Sequence, residues 1–212
     1  MALFEKLRLI VITDRRLAHP RTVEEVVTLA LEGGARAIQL RDKDAGAREM
    51  LESARRLRAL TREFEALLFI NDRVDVALAA DADGVHLGPD DIPVAALRSV
   101  VPQGFVIGHS TDLPEVARRA QDEGADYLGC GTVYPTSSKG DAGEIIGLDR
   151  LQEVVRSVDI PVVGIGGIDA SRAAEVAETG CAGIAVIGAV MAAPDPRTIV
   201  GELLRPFPSP SP

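Results

Sequence analysis

A chain of 212 residues with a formal charge of −9 and a pI near 4.9 is long enough for one well-buried core. Its charge has the wrong sign for a nucleic-acid backbone or an anionic membrane surface as main partner. No apolar stretch reaches the roughly 18 residues of a membrane span, residues 1–6 lack a signal-peptide layout, and Cys130 and Cys181 make neither a disulfide framework nor a metal-ligand spacing. A cytoplasmic protein is expected, with homo-oligomerisation left open and an anionic small substrate still compatible with a local cluster of Arg, Lys and metal.

In chain order, strand-like apolar runs occupy 7–13, 35–40, 66–70, 84–87, 105–108, 125–129, 161–165 and 183–187. Between them lie segments with apolar residues three and four apart, such as Val23, Val26, Val27 and Leu31, or Leu151, Val154 and Val155. Strands this continuously apolar are covered on both faces, as in βα alternation. Gly34-Ala35, Ala82-Asp83-Gly84, Gly124-Ala125-Asp126 and Gly180-Cys181-Ala182-Gly183 form a weak repeat, with glycine expected as a left-handed helix cap before each strand. Eight β-α units in this length predict a single (β/α)8 TIM barrel over 1–204, an open doubly wound sheet being the alternative. The Pro-rich residues 205–212 cannot continue a helix and read as a loose tail.

Asparagine occurs only at Asn71, and lysine only at Lys6, Lys43 and Lys139. A parallel barrel brings the carboxyl ends of its strands to one face. That rule gathers Asp14, Gln39, Arg41, Lys43, Asn71, Asp72, Asp91, Ser110, Thr136, Ser138, Lys139, Gly166 and Gly167. Strand alternation puts Gln39, Arg41 and Lys43 on one side and turns Leu40 and Asp42 toward the helices. A planar fork and a flexible point charge together suit a diphosphate. Asp72 and Asp91 each read singly as a helix cap. Beside Arg41, Lys43 and Asn71 they read as a Mg²⁺ pair completed by water and substrate phosphate. The glycines of 164–168 and the pair Ile187-Gly188 suit a second phosphate on backbone N–H groups. Two phosphorylated ligands suggest joining chemistry. The loop 132–147 carries hydroxyls and Lys139 and is expected to close as a lid. His86 reads as a packed strand histidine. Of the neighbours His109 and Ser110 only one faces inward, and Ser110 is preferred. Cys130 reads as a small core or rim residue.

These stretches together resemble the thiamine-phosphate synthase family from Ile12 to the last helix. The matching residues are Gln39-Leu40-Arg41-Asp42-Lys43, Ile70-Asn71-Asp72, His86-Leu87-Gly88 with Asp91, Gly108 with Ser110-Thr111, Tyr134-Pro135-Thr136 with Ser138-Lys139, and 164–168. The resemblance implies a (β/α)8 transferase that joins a hydroxymethylpyrimidine diphosphate to a thiazole phosphate, giving thiamine phosphate and pyrophosphate through a carbocation. It implies Gln39, Arg41, Lys43, Asn71, Ser110 and Lys139 on the pyrimidine diphosphate, with Arg41, Lys43 and Lys139 as catalytic cations. It implies Asp72 and Asp91 on Mg²⁺, and Thr136, Ser138, Gly166, Ile187 and Gly188 on the thiazole phosphate. The chain departs from the family pattern at Gly188 (often Ser), Ser138 (usually Thr), His109 (often small) and Asp112 (often His). The competing readings are a thiazole tautomerase using a proton-shuttling histidine, a non-catalytic precursor-binding regulator, and another phosphate-binding barrel.

Overall fold

The computed structural model describes residues 2–136 and 144–207, and elements are numbered in chain order among these. Eight parallel strands close on themselves in sequence order, β1 to β8, with β1 pairing β8. They are β1 (Leu9–Ile12), β2 (Ala37–Leu40), β3 (Leu67–Asn71), β4 (Gly84–Leu87), β5 (Val106–Ser110), β6 (Tyr127–Cys130), β7 (Val162–Ile165) and β8 (Gly183–Val186). Each begins and ends within three residues of a run expected from the sequence. Helices α1 (Leu3–Lys6), α2 (Arg15–Ala18), α3 (Val23–Glu32), α4 (Ala47–Glu63), α5 (Val74–Ala79) and α6 (Val94–Arg98) lie in the first half. In the second half come α7 (Pro114–Asp122), α8 (Gly147–Val155), α9 (Ala173–Ala177), α10 (Gly188–Met191) and α11 (Pro196–Leu204).

Local chemistry explains the larger elements. Thr22 and Glu25 form a reciprocal capping box that starts α3, satisfying two otherwise orphaned N–H groups. The α4 helix buries Met50, Ala54, Leu57 and Thr61, a stripe at helical spacing laid on the sheet. Pro114 and Pro196 open α7 and α11, where a missing N–H costs nothing. The strands are buried nearly end to end, β1, β2, β6 and β8 completely. Covering both faces of a parallel sheet in this way removes a continuous apolar surface from water, the main favourable term in folding.

Glycine does take the left-handed cap before β2, β6 and β8, at Gly34, Gly124 and Gly180. Before β4 the expectation is corrected: Asp81 is the left-handed residue, with φ 53°, and Gly84 lies within the strand, where a Cβ would come 2.1 Å from Val106 O. Of residues 205–212, the described ones end in a buried Phe207 whose carbonyl accepts from Arg8 Nη1 at 2.8 Å, so the chain is held against the barrel to that point. Among the described residues no helix is long and apolar enough to cross a membrane.

Candidate active site

A cavity of about 870 Å³ opens at the carboxyl ends of the strands. Arg41, Lys43, Asn71, Asp72, Asp91, Ser110, Thr136, Gly166, Ile187 and Gly188 all line it. With Gly167, eleven of the sequence-derived site residues are thus brought together from seven of the eight βα connections and strand ends. Gln39 is not among the lining residues; it is 2% exposed and lies inside the barrel. Asp14 is not either: its carboxylate caps α2, accepting from Arg16 N at 2.9 Å and Leu17 N at 3.1 Å. Ser138 and Lys139, with the rest of residues 137–143 in the expected lid, lie outside the described residues.

On the β2 side, the buried Thr13 hydroxyl accepts from Arg41 N at 3.0 Å and donates to Arg41 O at 3.3 Å. This fixes the backbone of Arg41 just as β2 ends. Asp42 points the other way, accepting from the N–H groups of Asp44 and Ala45 and pairing with Arg15 at 3.4 Å. The alternation expected for this segment is therefore present.

Asp72 follows β3 with φ 61°, a left-handed conformation that short polar side chains tolerate better than most. Its N–H still bonds His86 O at 2.9 Å, continuing the β3–β4 ladder one step further. Neither acidic residue caps a helix: α5 and α6 begin without a side-chain cap. Asp91 Oδ2 instead accepts from Gly88 N at 2.6 Å, and its carboxyl group is near enough to that of Asp72 to act on it electrostatically. Burial, then repulsion and hydrogen bonding from Asp91, raises the Asp72 carboxyl to about 6, while Lys43 and Arg41 oppose that rise. A divalent cation between two carboxylates this close would relieve their repulsion and satisfy both.

The charges lining the cavity point in the same direction. Among the described lining residues the cations are Arg41 and Lys43, against the carboxylates of Asp72, Asp90, Asp91, Asp112 and Asp169. A polyanionic ligand entering this mouth needs a cation to offset them. Among the described residues no three or more His, Cys, Asp or Glu side chains are grouped so that they could hold a metal ion by themselves. The residues fit a hard ion held by one or two carboxylates with water and phosphate oxygens, as Mg²⁺ typically is, rather than an all-protein cage.

Across the cavity, Gly166 and Gly167 have φ of 102° and 63°. A Cβ on Gly166 would lie 2.6 Å from Thr132 Cγ2, and one on Gly167 would lie 2.5 Å from Pro135 O, so both conformation and space demand glycine. Arg172 Nη1 donates to Gly167 O at 2.5 Å, and its guanidinium lies 4.7 Å from the Tyr134 ring centroid, tying this turn to the next loop. Next to it, α10 starts at Gly188 without a side-chain cap. Gly166→Ala is expected to cost about 1–3 kcal/mol in stability from backbone conformation alone. A thermal melt checks this, with a drop in Tm expected.

His86, expected from the sequence only as a packed strand histidine, has a place in the site. His86 lines the cavity, with Nε2 2.8 Å from Ser110 Oγ and Nδ1 2.9 Å from the Tyr127 hydroxyl. Packing and site are not exclusive here. Ser110, not His109, is the inward neighbour on β5. His109 is absent from the cavity wall, and burial lowers its imidazole below the ordinary value, with Glu123 and Arg119 of the α7 region and Asp91 as its charged surroundings. Cys130 is fully buried and its thiol is pushed up to about 12, which rules out a ready thiolate nucleophile.

Barrel and cavity together define a (β/α)8 enzyme whose site is built from the loops at the carboxyl ends of its strands. Residues 9–190 match the family model described as thiamine monophosphate synthase. A thiamine-phosphate synthase of Pyrococcus furiosus is 54% identical over 97% of this chain and 97% of its own. One from Archaeoglobus fulgidus is 51% identical over 92% of this chain and 90% of its own. The solved structure of a thiamine phosphate pyrophosphorylase from Pyrococcus furiosus superposes with a TM-score of 0.88 at 52% identity, covering 97% of this chain and 98% of that one. The chain belongs to the thiamine monophosphate synthase family, and is a transferase.

Proposed function

We propose that the protein joins 4-amino-2-methyl-5-hydroxymethylpyrimidine diphosphate to a thiazole phosphate, releasing pyrophosphate and forming thiamine phosphate, with Mg²⁺ bound at Asp72 and Asp91. The observation that carries this reading is the Asp72–Asp91 pair facing Arg41 and Lys43 across one cavity, with the paired glycine turn on the opposite wall. Family membership supplies the identity of the two substrates.

Arg41 and Lys43 bind the diphosphate and offset the charge that grows on it as the carbon–oxygen bond to the pyrimidine methylene breaks. The sequence places Lys139 with them. Bound Mg²⁺ supplies Lewis-acid stabilisation of the same departing oxygens. Asn71 and Ser110 orient the pyrimidine half. Backbone N–H groups at Gly166 and Gly188, with the hydroxyls of Thr136 and Ser138, hold the thiazole phosphate so that its ring nitrogen faces the methylene carbon. That nitrogen captures the pyrimidine-stabilised carbocation, and no protein nucleophile takes part. The missing Ser hydroxyl at Gly188 leaves more of this phosphate's binding to backbone groups.

No observation favours the tautomerase reading. The cavity histidine among the described residues is His86, engaged with Ser110 and Tyr127, and His109 does not line the cavity. Calorimetric titration with pyrophosphate tests the metal assignment apart from turnover. Binding is expected in the presence of Mg²⁺ and to weaken by roughly tenfold or more in its absence or in Asp72→Asn. Equal affinity with Mg²⁺ and with EDTA would rule out Asp72 and Asp91 as its ligands.

A further inference from the structure

Three consecutive carbonyls at the end of β7 are held by groups that lie off the cavity wall. Val133 N donates to Ile165 O at 2.9 Å, Tyr134 N to Gly166 O at 3.0 Å, and Arg172 Nη1 to Gly167 O at 2.5 Å. The N–H and C=O of a trans peptide point in opposite directions. Val133, Tyr134 and Arg172 do not line the cavity, whereas Gly166, Gly167 and Ile168 do. The N–H groups of those last three residues therefore face away from the anchors. Among the described residues they donate to no backbone acceptor. Successive N–H groups set in this way form a concave nest for an anion.

Two of the three anchors are backbone groups, and the third is a side chain. Arg172 stands at the start of α9, where its own N–H donates to Asp169 O at 3.1 Å while its guanidinium reaches back to Gly167 O. It thus closes the turn 167–172 from both ends. The guanidinium lies 4.7 Å from the Tyr134 ring centroid. One turn along α9, Glu175 Oε2 accepts from the Tyr134 hydroxyl at 2.7 Å, which fixes the ring against Arg172. The carboxylate of the turn, Asp169, is engaged by Ser171 N at 3.0 Å and Ser171 Oγ at 2.6 Å. A positive charge therefore stands behind the nest, and the negative charge beside it is already hydrogen-bonded.

We infer that Arg172, braced by Tyr134 and Glu175, is a positioning residue that aims the N–H groups of Gly166, Gly167 and Ile168 at one phosphate. It acts through the Gly167 carbonyl, from outside the cavity. Gly188 offers that phosphate no side chain, so the aim of these backbone donors carries more of the binding. Naming the phosphate as the one on the thiazole rests on the function proposed above; the aim of the N–H groups does not.

The test reads phosphate first and turnover second. In proton–nitrogen NMR of the full-length protein titrated with inorganic phosphate, the amides of Gly166, Gly167 and Ile168 are expected to shift together with one affinity. Arg172→Met keeps a long side chain beside Tyr134 and removes the donor and the charge. It is expected to weaken phosphate roughly tenfold. Arg172→Lys, which restores a charged donor, is expected to recover part of that loss. Should Arg172→Met fail to fold, Tyr134→Leu takes its place, since it leaves Arg172 but removes the ring that braces it. A loss of about threefold is expected there. Wild-type affinity in the variant read, or no shift of the three amides in the wild type, overturns the inference whatever reaction the protein performs. Kinetically, Arg172→Met is expected to raise KM for the thiazole phosphate roughly tenfold, with kcat and KM for the pyrimidine diphosphate within about twofold of wild type. Equal rises in both KM values would make Arg172 a packing residue and overturn its role. Absence of synthase activity in the wild type would instead refute the proposed reaction and leave the phosphate titration to decide the role of Arg172.

Discussion

Asp72→Asn is expected to lose roughly a hundredfold or more in kcat while melting above the wild type at neutral pH. The loss of activity follows from removing half of the carboxylate pair that faces Arg41 and Lys43. The gain in stability follows from the environment that makes the pair useful. Between its ordinary value of 3.8 and its native value of about 6, the Asp72 carboxyl of the metal-free protein binds more protons folded than unfolded. Its contribution to stability is therefore fully present at low pH and is lost as pH rises through about 6. Asparagine carries no charge to desolvate or to oppose Asp91, and it tolerates the φ of 61° at this position. The expected rise in Tm is roughly 2–4 °C at pH 7.5, after allowance for solvent screening of a half-exposed group. It shrinks toward zero as pH falls to about 4. Asp72→Ala is the poorer probe, because it abolishes turnover equally but adds backbone strain of about 1–2 kcal/mol. Melting curves of metal-free wild type and Asp72→Asn across that pH range, with kcat measured at saturating Mg²⁺, check both halves. A mutant that is active, or that is less stable than wild type at neutral pH, would contradict the assigned role.

The second large effect is expected at Lys43→Ala, where kcat/KM falls by roughly 10²–10³-fold while the Tm stays within a degree or two of wild type. Lys43 is exposed at the cavity mouth, so its removal takes little from the core. Its charge has a specific task there, because carboxylates outnumber cations on the described wall. Removing it leaves Arg41 as the described cation facing the diphosphate. Lys43→Arg is expected to recover part of the activity, since charge is retained but a compact ammonium is replaced by a planar fork. Steady-state kinetics with each substrate varied in turn locates the defect: the pyrimidine diphosphate is expected to be affected, and the thiazole phosphate much less. Wild-type rates in Lys43→Ala would remove this residue from the mechanism.

Much of this was legible in the sequence because a parallel barrel converts chain order into spatial order. Eight apolar runs, each followed by a helical pattern, give the strand order, and the carboxyl-end rule then places Arg41, Asn71, Asp91, Ser110 and Gly166 on one face. Rarity helped at Asn71 and Lys43, each at the end of an apolar run. The sequence did not show which polar groups serve local structure. Asp14 lies at the right end of β1 but spends its carboxylate on the first turn of α2. The left-handed turn before β4 falls on Asp81, not on a nearby glycine, because aspartate also reaches that conformation. The contacts of His86 with Tyr127 and Ser110 were hidden for a different reason. Tyr127 and His86 sit in apolar runs where each alone reads as packing, and only the three-dimensional pairing of β4, β5 and β6 side chains shows that they bond one another. A signal was present in hindsight: polar residues within strand runs, with Gly108 and Gly129 on the neighbouring strands.

The reaction itself is tested most directly by incubating the purified full-length chain with both phosphorylated precursors and reading thiamine phosphate, in parallel samples containing Mg²⁺ or EDTA. Product in the first sample and none in the second is the expected result. Absence of product from folded protein that binds the precursors, or equal product with EDTA, would contradict a Mg²⁺-dependent synthase built on Asp72 and Asp91.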